Sequence, residues 1–174
     1  METPVWIRVA GPDDAELVAD IARRTFIDTF SQHNTAENMR IFLEEQNPKE
    51  KQMAEVGAPG RTFFLAYVGD EPAGFVSLRV TQPPAGLQGA KAIELVQIYS
   101  EQKMIGKGVG HALMEAALES ARLQGYDWIW LGVWEHNHRA QAFYRKWGFE
   151  RCGEHVFIVG LDAQTDWWMK KKLA

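Results

Sequence analysis

Residues Ile105-Gly106-Lys107-Gly108-Val109-Gly110 set three glycines at alternating positions just ahead of Ala112-Leu113-Met114-Glu115-Ala116-Ala117-Leu118, a run of strong helix formers. The first turn of a helix leaves backbone N–H groups without intrahelical partners and carries partial positive charge. Glycines there remove the side chains that would hold an anion away, so the pattern is a cradle for a diphosphate. The spacing sets aside two other nucleotide loops. A P-loop needs Ser or Thr after Gly-Lys, and Lys107 is followed by Gly108. A dinucleotide loop, G-x-G-x-x-G or -A, puts its third small residue on His111 or Leu113. What remains is x-x-Gly-x-Gly opening a helix behind the apolar run Ala92 to Tyr99. That run contains one carboxylate, Glu94, between Ile93 and Leu95, where packing alone does not ask for one.

A second segment, Asn137-His138-Arg139-Ala140-Gln141-Ala142-Phe143-Tyr144-Arg145-Lys146-Trp147-Gly148-Phe149, reads as a short helix. Asn137 is a good N-cap, Ala140, Phe143, Tyr144 and Trp147 form an apolar face at helical spacing, and Gly148 suits the stop.

Together the two segments resemble the GCN5-related N-acetyltransferases. That family's diphosphate signature, Gln/Arg-x-x-Gly-x-Gly/Ala, is matched from Ile105 to Gly110, with Ile105 where Gln or Arg is expected. Its Asn-x-x-Ala-x-x-Phe-Tyr-x-x-x-Gly-Phe pattern is matched at every defined position from Asn137 to Phe149. The resemblance implies an α/β fold: a central mixed, mainly antiparallel sheet with one splayed parallel strand pair and helices on both faces. It implies acetyl-CoA as cosubstrate and no metal. Ile105, Gly106, Lys107, Gly108, Val109 and Gly110 would hold the diphosphate, and Gln97, Ile98, Tyr99 and Asn137 the pantetheine arm. It also implies Tyr144 as cofactor contact and general acid at the sulfur, and Glu94 as general base, through water more readily than directly. The chemistry needs both. An amine of pKa near 10.4 is free to the extent of about one part in a thousand or less at pH 7, so losing its proton costs on the order of 4 kcal/mol.

Thr25-Phe26-Ile27-Asp28-Thr29-Phe30, Asn34 to Met39, Gly132 to Asn137 and Gly160 to Asp166 are similar to the bacterial spermidine/spermine acetyltransferase branch. A polyamine acceptor follows from that likeness, and Asp28, Glu37, Glu94 and Glu135 are carboxylates suited to a polycation. An amino acid, a peptide N-terminus and an aminoglycoside are the other acceptors. A non-catalytic acyl-CoA-sensing module is the rival class, and the joint presence of Glu94 and Tyr144 argues against it.

The length of 174 residues fits a single domain, 1–174. With 46% hydrophobic and 24% charged residues the composition is that of a globular protein. A net charge of −4 without a basic stripe argues against nucleic acid, and Lys170-Lys171-Lys172 reads as a solvated chain end. The lone Cys152 excludes an internal disulfide framework. Met1 to Asp14 lacks the pattern of a secretion signal, and no run approaches the roughly eighteen apolar residues of a membrane span. The cytoplasm is the expected location, with no membrane partner and a homodimer left open. His136 and His138 lack a third ligand nearby and read as surface residues, not a metal site.

To position these groups, Trp6 to Val9, Arg61 to Val68, Pro72 to Val80, Ala92 to Tyr99, Trp128 to Val133, Glu150 to Ile158 and Thr165 to Lys171 read as strands. Gly69-Asp70 marks a hairpin. Helices are expected after Asp13, after Asn34, near Pro48 to Val56, from Gly106 to Leu123, and from Asn137. The strand–helix–strand unit over 92 to 133 should be a parallel pair. Trp128, Trp130 and Trp134 share one face at period two.

Overall fold

Seven strands form one sheet in the order β1-β2-β3-β4-β5-β7-β6 in the computed structural model, which describes residues 3–173. They are β1 (Val5–Val9), β2 (Arg61–Val68), β3 (Glu71–Arg79), β4 (Ala92–Ser100), β5 (Trp128–Trp134), β6 (Glu150–Val159) and β7 (Asp162–Lys172). Every neighbouring pair is antiparallel except β4–β5. The helices are α1 (Ala15–Phe30), α2 (Ala36–Ile41), α3 (Lys49–Glu55), α4 (Val109–Leu123) and α5 (His138–Lys146). This is the mixed sheet that the resemblance predicts. The expectations about the chain's first two residues and its last, Met1, Glu2 and Ala174, lie outside the described residues.

Side chains alternate across a strand, so each strand contributes to two cores. On one face Leu113, Met114, Ala117 and Ala121 of α4 pack on Val76, Leu78, Ile93, Leu95, Ile129 and Leu131, and Tyr144 of α5 joins them. On the other, Val18, Ile21 and Ala22 of α1 pack on Phe63, Leu65 and Phe75. A smaller cluster of Phe26, Met39, Phe42, Leu43 and Val159 ties α1 and α2 to β6.

Three details differ from the sequence reading. The helix expected from Gly106 begins at Val109, because Gly106 and Gly108 take φ of 87° and 84°, the left-handed region that a right-handed helix cannot use. After α2 the chain widens into a π turn over Phe42–Gln46, closed by the Asn47 N–H donating to the Phe42 carbonyl at 2.7 Å. Lys170, Lys171 and Lys172 are no solvated chain end. They belong to β7, which lies between β5 and β6, and Lys170 Nζ stands 5.0 Å from the Trp128 ring centre.

Candidate functional site

The parallel pair β4–β5 is short. Ala92↔Trp128, Ile93↔Ile129 and Glu94↔Trp130 are in register, and beyond them the strands part. On its other side β4 stays paired with β3, but the register steps from Leu78↔Leu95 to Ser77↔Gln97, so Val96 is a bulge. The two features turn the second half of β4 away from β5 and leave its backbone facing an opening. That opening is a cavity of ≈ 510 Å³. Gln97, Ile98 and Tyr99 line one wall, Gly132, Val133 and Trp134 the other, with Asn137, Phe143 and Tyr144 of the α5 segment beside them.

Ile105 and Gly110 reach the same cavity. Gly106, Lys107 and Gly108 lie exposed next to it, while Val109 is buried and has only its backbone to offer. A Cβ built on Gly106 or Gly108 meets no atom within 4 Å. Packing therefore does not explain these glycines; their left-handed backbone does, and the open space above them fits a diphosphate on the first turn of α4. Ile105 offers that ligand no hydrogen bond.

Asn137 caps α5, its side chain accepting from the Ala140 N–H at 3.2 Å. Buried Gln141 fixes the turn before it, donating to the Trp134 and Glu135 carbonyls at 3.1 and 2.8 Å. Gln141 thus sits within the face that the sequence reading gave to apolar residues alone. Tyr144 packs edge-on against Phe143 and Phe149. Its hydroxyl has no hydrogen bond among the described residues. Burial, and then the neighbouring Tyr99, push its pKa above the ordinary phenol value, so it is fully protonated at neutral pH. A protonated phenol free to donate is what a leaving thiolate needs.

Glu94 is placed differently. It is buried, lines neither cavity of the site, and is bound by Arg79 across the β3–β4 pair at 2.6 and 2.9 Å. Both bonds fall on Oε1, leaving Oε2 without a protein partner among the described residues. Burial raises its pKa, against the opposing pull of Arg79 and Arg61.

A second cavity of ≈ 610 Å³ opens on the α1 and α3 side of the sheet, and Phe26, Val96, Gln97, Tyr99 and Phe157 line both cavities. At its floor Gln52 and Gln97 exchange amide hydrogen bonds at 2.9 and 3.3 Å, and the Ser77 hydroxyl donates to Gln97 Oε1 at 3.3 Å. Its charged lining is Arg23, Lys49, Lys51 and Glu55. Lys49 bridges Glu16 and Asp20, and Glu55 pairs with Arg61. The amide pair escaped the sequence reading because Gln52 and Gln97 meet only through tertiary packing. Asp166 of β7, another lining residue of the first cavity, escaped it for the same reason.

Of the four carboxylates singled out for a polycation, Asp28 lines the first cavity. Glu37 is bound by Arg40, Glu94 by Arg79, and Glu135 lies 3.3 Å from His136. No group of three or more His, Cys, Asp or Glu that could hold a metal ion occurs among the described residues. No helix among them is long and apolar enough to cross a membrane.

The family model of the acetyltransferase (GNAT) family matches residues 17–149. The chain is similar to an uncharacterized N-acetyltransferase of Lactobacillus delbrueckii subsp. lactis, 38% identical over 167 residues, which are 96% of each chain. Among solved structures it is similar to the PaiA N-acetyltransferase of Thermoplasma acidophilum in complex with coenzyme A. The TM-score there is 0.75 at 22% identity, over 97% of this chain and 99% of that one. The ribosomal-protein-S18-alanine N-acetyltransferase of Escherichia coli shares the fold at a TM-score of 0.74 and 16% identity, over 98% and 95% of the two chains.

Proposed function

The chain belongs to the acetyltransferase (GNAT) family and is an acetyl-CoA-dependent N-acetyltransferase, and from that premise we propose that its acceptor is the primary amine of a small molecule, a polyamine such as spermidine or spermine. The observation that carries the reading is the parting of β4 from β5 into a cavity with Tyr144 at its wall and the open glycine turn of α4 at its end.

In this reading the unengaged N–H groups at residues 106–110 hold the diphosphate, the backbone groups of Gln97, Ile98 and Tyr99 that point away from β3 and the Asn137 side chain hold the pantetheine arm, and Tyr144 gives a proton to the departing sulfur. Glu94, which lines neither cavity, could act on an acceptor nitrogen only at a distance, through water on Oε2. Asp28 at the cavity supports a polycationic acceptor.

A second acceptor class has its own support. Arg23 and Lys51 line the larger cavity, and their hydrogen bonds among the described residues are to carbonyls, Leu43 at 3.5 Å and Gln46 at 3.2 Å. Two cations without a carboxylate partner suit an amine that also carries a carboxylate, as an amino acid or a short peptide does.

The test is thiol release from acetyl-CoA with spermidine, spermine, neutral amino acids, a short peptide and an aminoglycoside, each at low and high salt. Turnover of spermidine that weakens with salt supports the polyamine reading. Turnover of amino acids with none for spermidine or spermine removes it. A chain that binds acetyl-CoA and turns over no amine is an acyl-CoA sensor.

A further inference from the structure

We propose that Asp166, backed by His155, receives the acceptor's ammonium group and takes its proton. The inference rests on the amine-acetylation reading above and assigns within it the carboxylate that faces the reaction directly.

Asp166 pairs with Trp134 of β5 on one side and with His155 of β6 on the other, so the three residues stand abreast on one face of the sheet. Asp166 lines the cavity together with Tyr99 and Tyr144. Its side chain is 15% exposed, and no Lys or Arg stands within ion-pairing distance among the described residues. Other carboxylates of similar or lower exposure are built otherwise: Glu94 has Arg79, Glu101 has Arg24 and Asp14 has Arg8. A carboxylate taken out of water without a counter-cation is costly, and the cation missing here is what a bound ammonium supplies.

The titratable and charged groups around it or on the same cavity are His155 from β6, Glu135 after β5, Tyr99 from β4, Asp28 from α1, and Arg139 and Tyr144 from α5. His155 is wedged in place. It stacks on Trp168 with ring centres 3.7 Å apart and planes 7° from parallel. It does so above Gly132, where a Cβ would lie 3.1 Å from His155 Nε2. That nitrogen is buried without a hydrogen bond and faces Asp166 Oδ2 at 3.6 Å. Burial lowers the pKa of His155, which favours the neutral imidazole and so favours leaving the cationic position to the substrate. Burial, and then Glu135, hold the Asp166 carboxyl up to about 6, closer to the working pH and therefore a better proton acceptor than an ordinary aspartate.

The step balances. Asp166 takes one proton from the ammonium, the freed lone pair forms the N–C bond to the thioester carbonyl, and the C–S pair leaves on sulfur. Tyr144 protonates the sulfur and recovers its proton from the nitrogen as the amide forms. Asp166 gives its proton to water at the cavity mouth, one proton net per turnover.

The experiment is kcat/KM against pH, with an amine that the wild type turns over, for wild type, Asp166→Asn, Glu94→Gln and His155→Gln, with acetyl-CoA affinity measured alongside. Asp166 predicts an acid limb in the wild type with its midpoint near 6. Asp166→Asn should lose about 10²-fold or more in rate, lose the limb and keep its acetyl-CoA affinity. Glu94→Gln should keep the limb and lose less, and His155→Gln should move the limb's midpoint. An Asp166→Asn enzyme at the wild-type rate, or one that retains the limb, overturns the inference and leaves the acetyltransferase reading intact. So does a wild type without an acid limb near 6, whatever the fate of the variants. Failure of the wild type to turn over any amine removes the reading itself and this inference with it.

Discussion

The two ends of the reaction centre are built from different materials. In the proposed reading the acetyl-CoA end is made largely of backbone: a glycine turn, the first turn of α4 and the half of β4 that has no partner on its β5 side, with Asn137 and Tyr144 fixed beside them by α5. The acceptor end, as proposed, is made of side chains from α1, α3, β4, β6 and β7: Arg23, Gln52, Gln97 and Asp166 at the cavities, with His155 behind Asp166. Backbone donors recognise what every acetyl-CoA has, a diphosphate and a thioester arm. Side chains recognise what differs between amines. One end can therefore serve a whole family while the other fixes a single enzyme's substrate.

The sharpest way to break this division is at Tyr144, the side chain on which the acetyl-CoA end depends for chemistry. Tyr144→Phe keeps the ring and its contacts with Phe143 and Phe149, so acetyl-CoA affinity should hold while kcat falls about 10²–10⁴-fold. Isothermal titration and steady-state thiol release, run together, separate the two quantities. Wild-type turnover would leave Tyr144 as a core aromatic only. Gly108→Glu attacks the backbone half instead. It puts an anion where the diphosphate should sit and asks a residue with a Cβ to hold φ near 84°, which costs roughly 1–2 kcal/mol by itself. Acetyl-CoA affinity should drop about 100-fold, equivalent to about 2.8 kcal/mol. Unchanged affinity in a folded variant would detach this turn from the cofactor.

The same division explains how much the sequence revealed. Asn137 to Phe149 is one local segment, so its cap, its helix and the place of Tyr144 could be read without any tertiary knowledge. The glycine turn was equally legible, although the helix start was not, because two left-handed glycines displace it to Val109. Most strand boundaries followed from turn residues and alternation. Asp166 gave no such signal. It is one of several polar residues in β7, between Thr165 and Trp167, and only the β5–β7–β6 register sets it between Trp134 and His155. Glu94 shows the converse. A carboxylate in an apolar strand looked chemical, and the structure gives it a partner, Arg79, on the neighbouring strand.

At the acceptor end, charge is the property that most readily changes the outcome. Arg23→Ala combined with Lys51→Ala should raise KM severalfold for an amine bearing a carboxylate and leave spermidine unaffected or improved. Each lost charge–charge contact near a surface is worth about 1 kcal/mol or less. Raising ionic strength should shrink the difference, since screening acts over about 8–10 Å at physiological salt. Equal KM changes for both acceptors would mean that these cations do not take part in recognition.

The smallest expected effect tests whether Asp166 is kept for function at a cost to the fold. Burial raises its carboxyl pKa in the folded protein to about 6, above the ordinary aspartate value. The folded state therefore binds more protons than the unfolded chain between those two values, and stability falls as pH rises through that window. Below the ordinary value both states are protonated and the cost is absent; above about 6 it is present in full. Asp166→Asn removes the charge while keeping the shape, so it should melt higher than wild type at pH 8. In a chain of this size a stability change of 1 kcal/mol moves Tm by about 2–4 °C. The gain should shrink as pH is lowered and vanish near pH 4. Melting curves of the two proteins across pH 4–8 measure it directly. A variant less stable than wild type at pH 8 would mean that the Asp166 carboxylate contributes net stabilising contacts, and that the acceptor end, like the acetyl-CoA end, is built without stored cost.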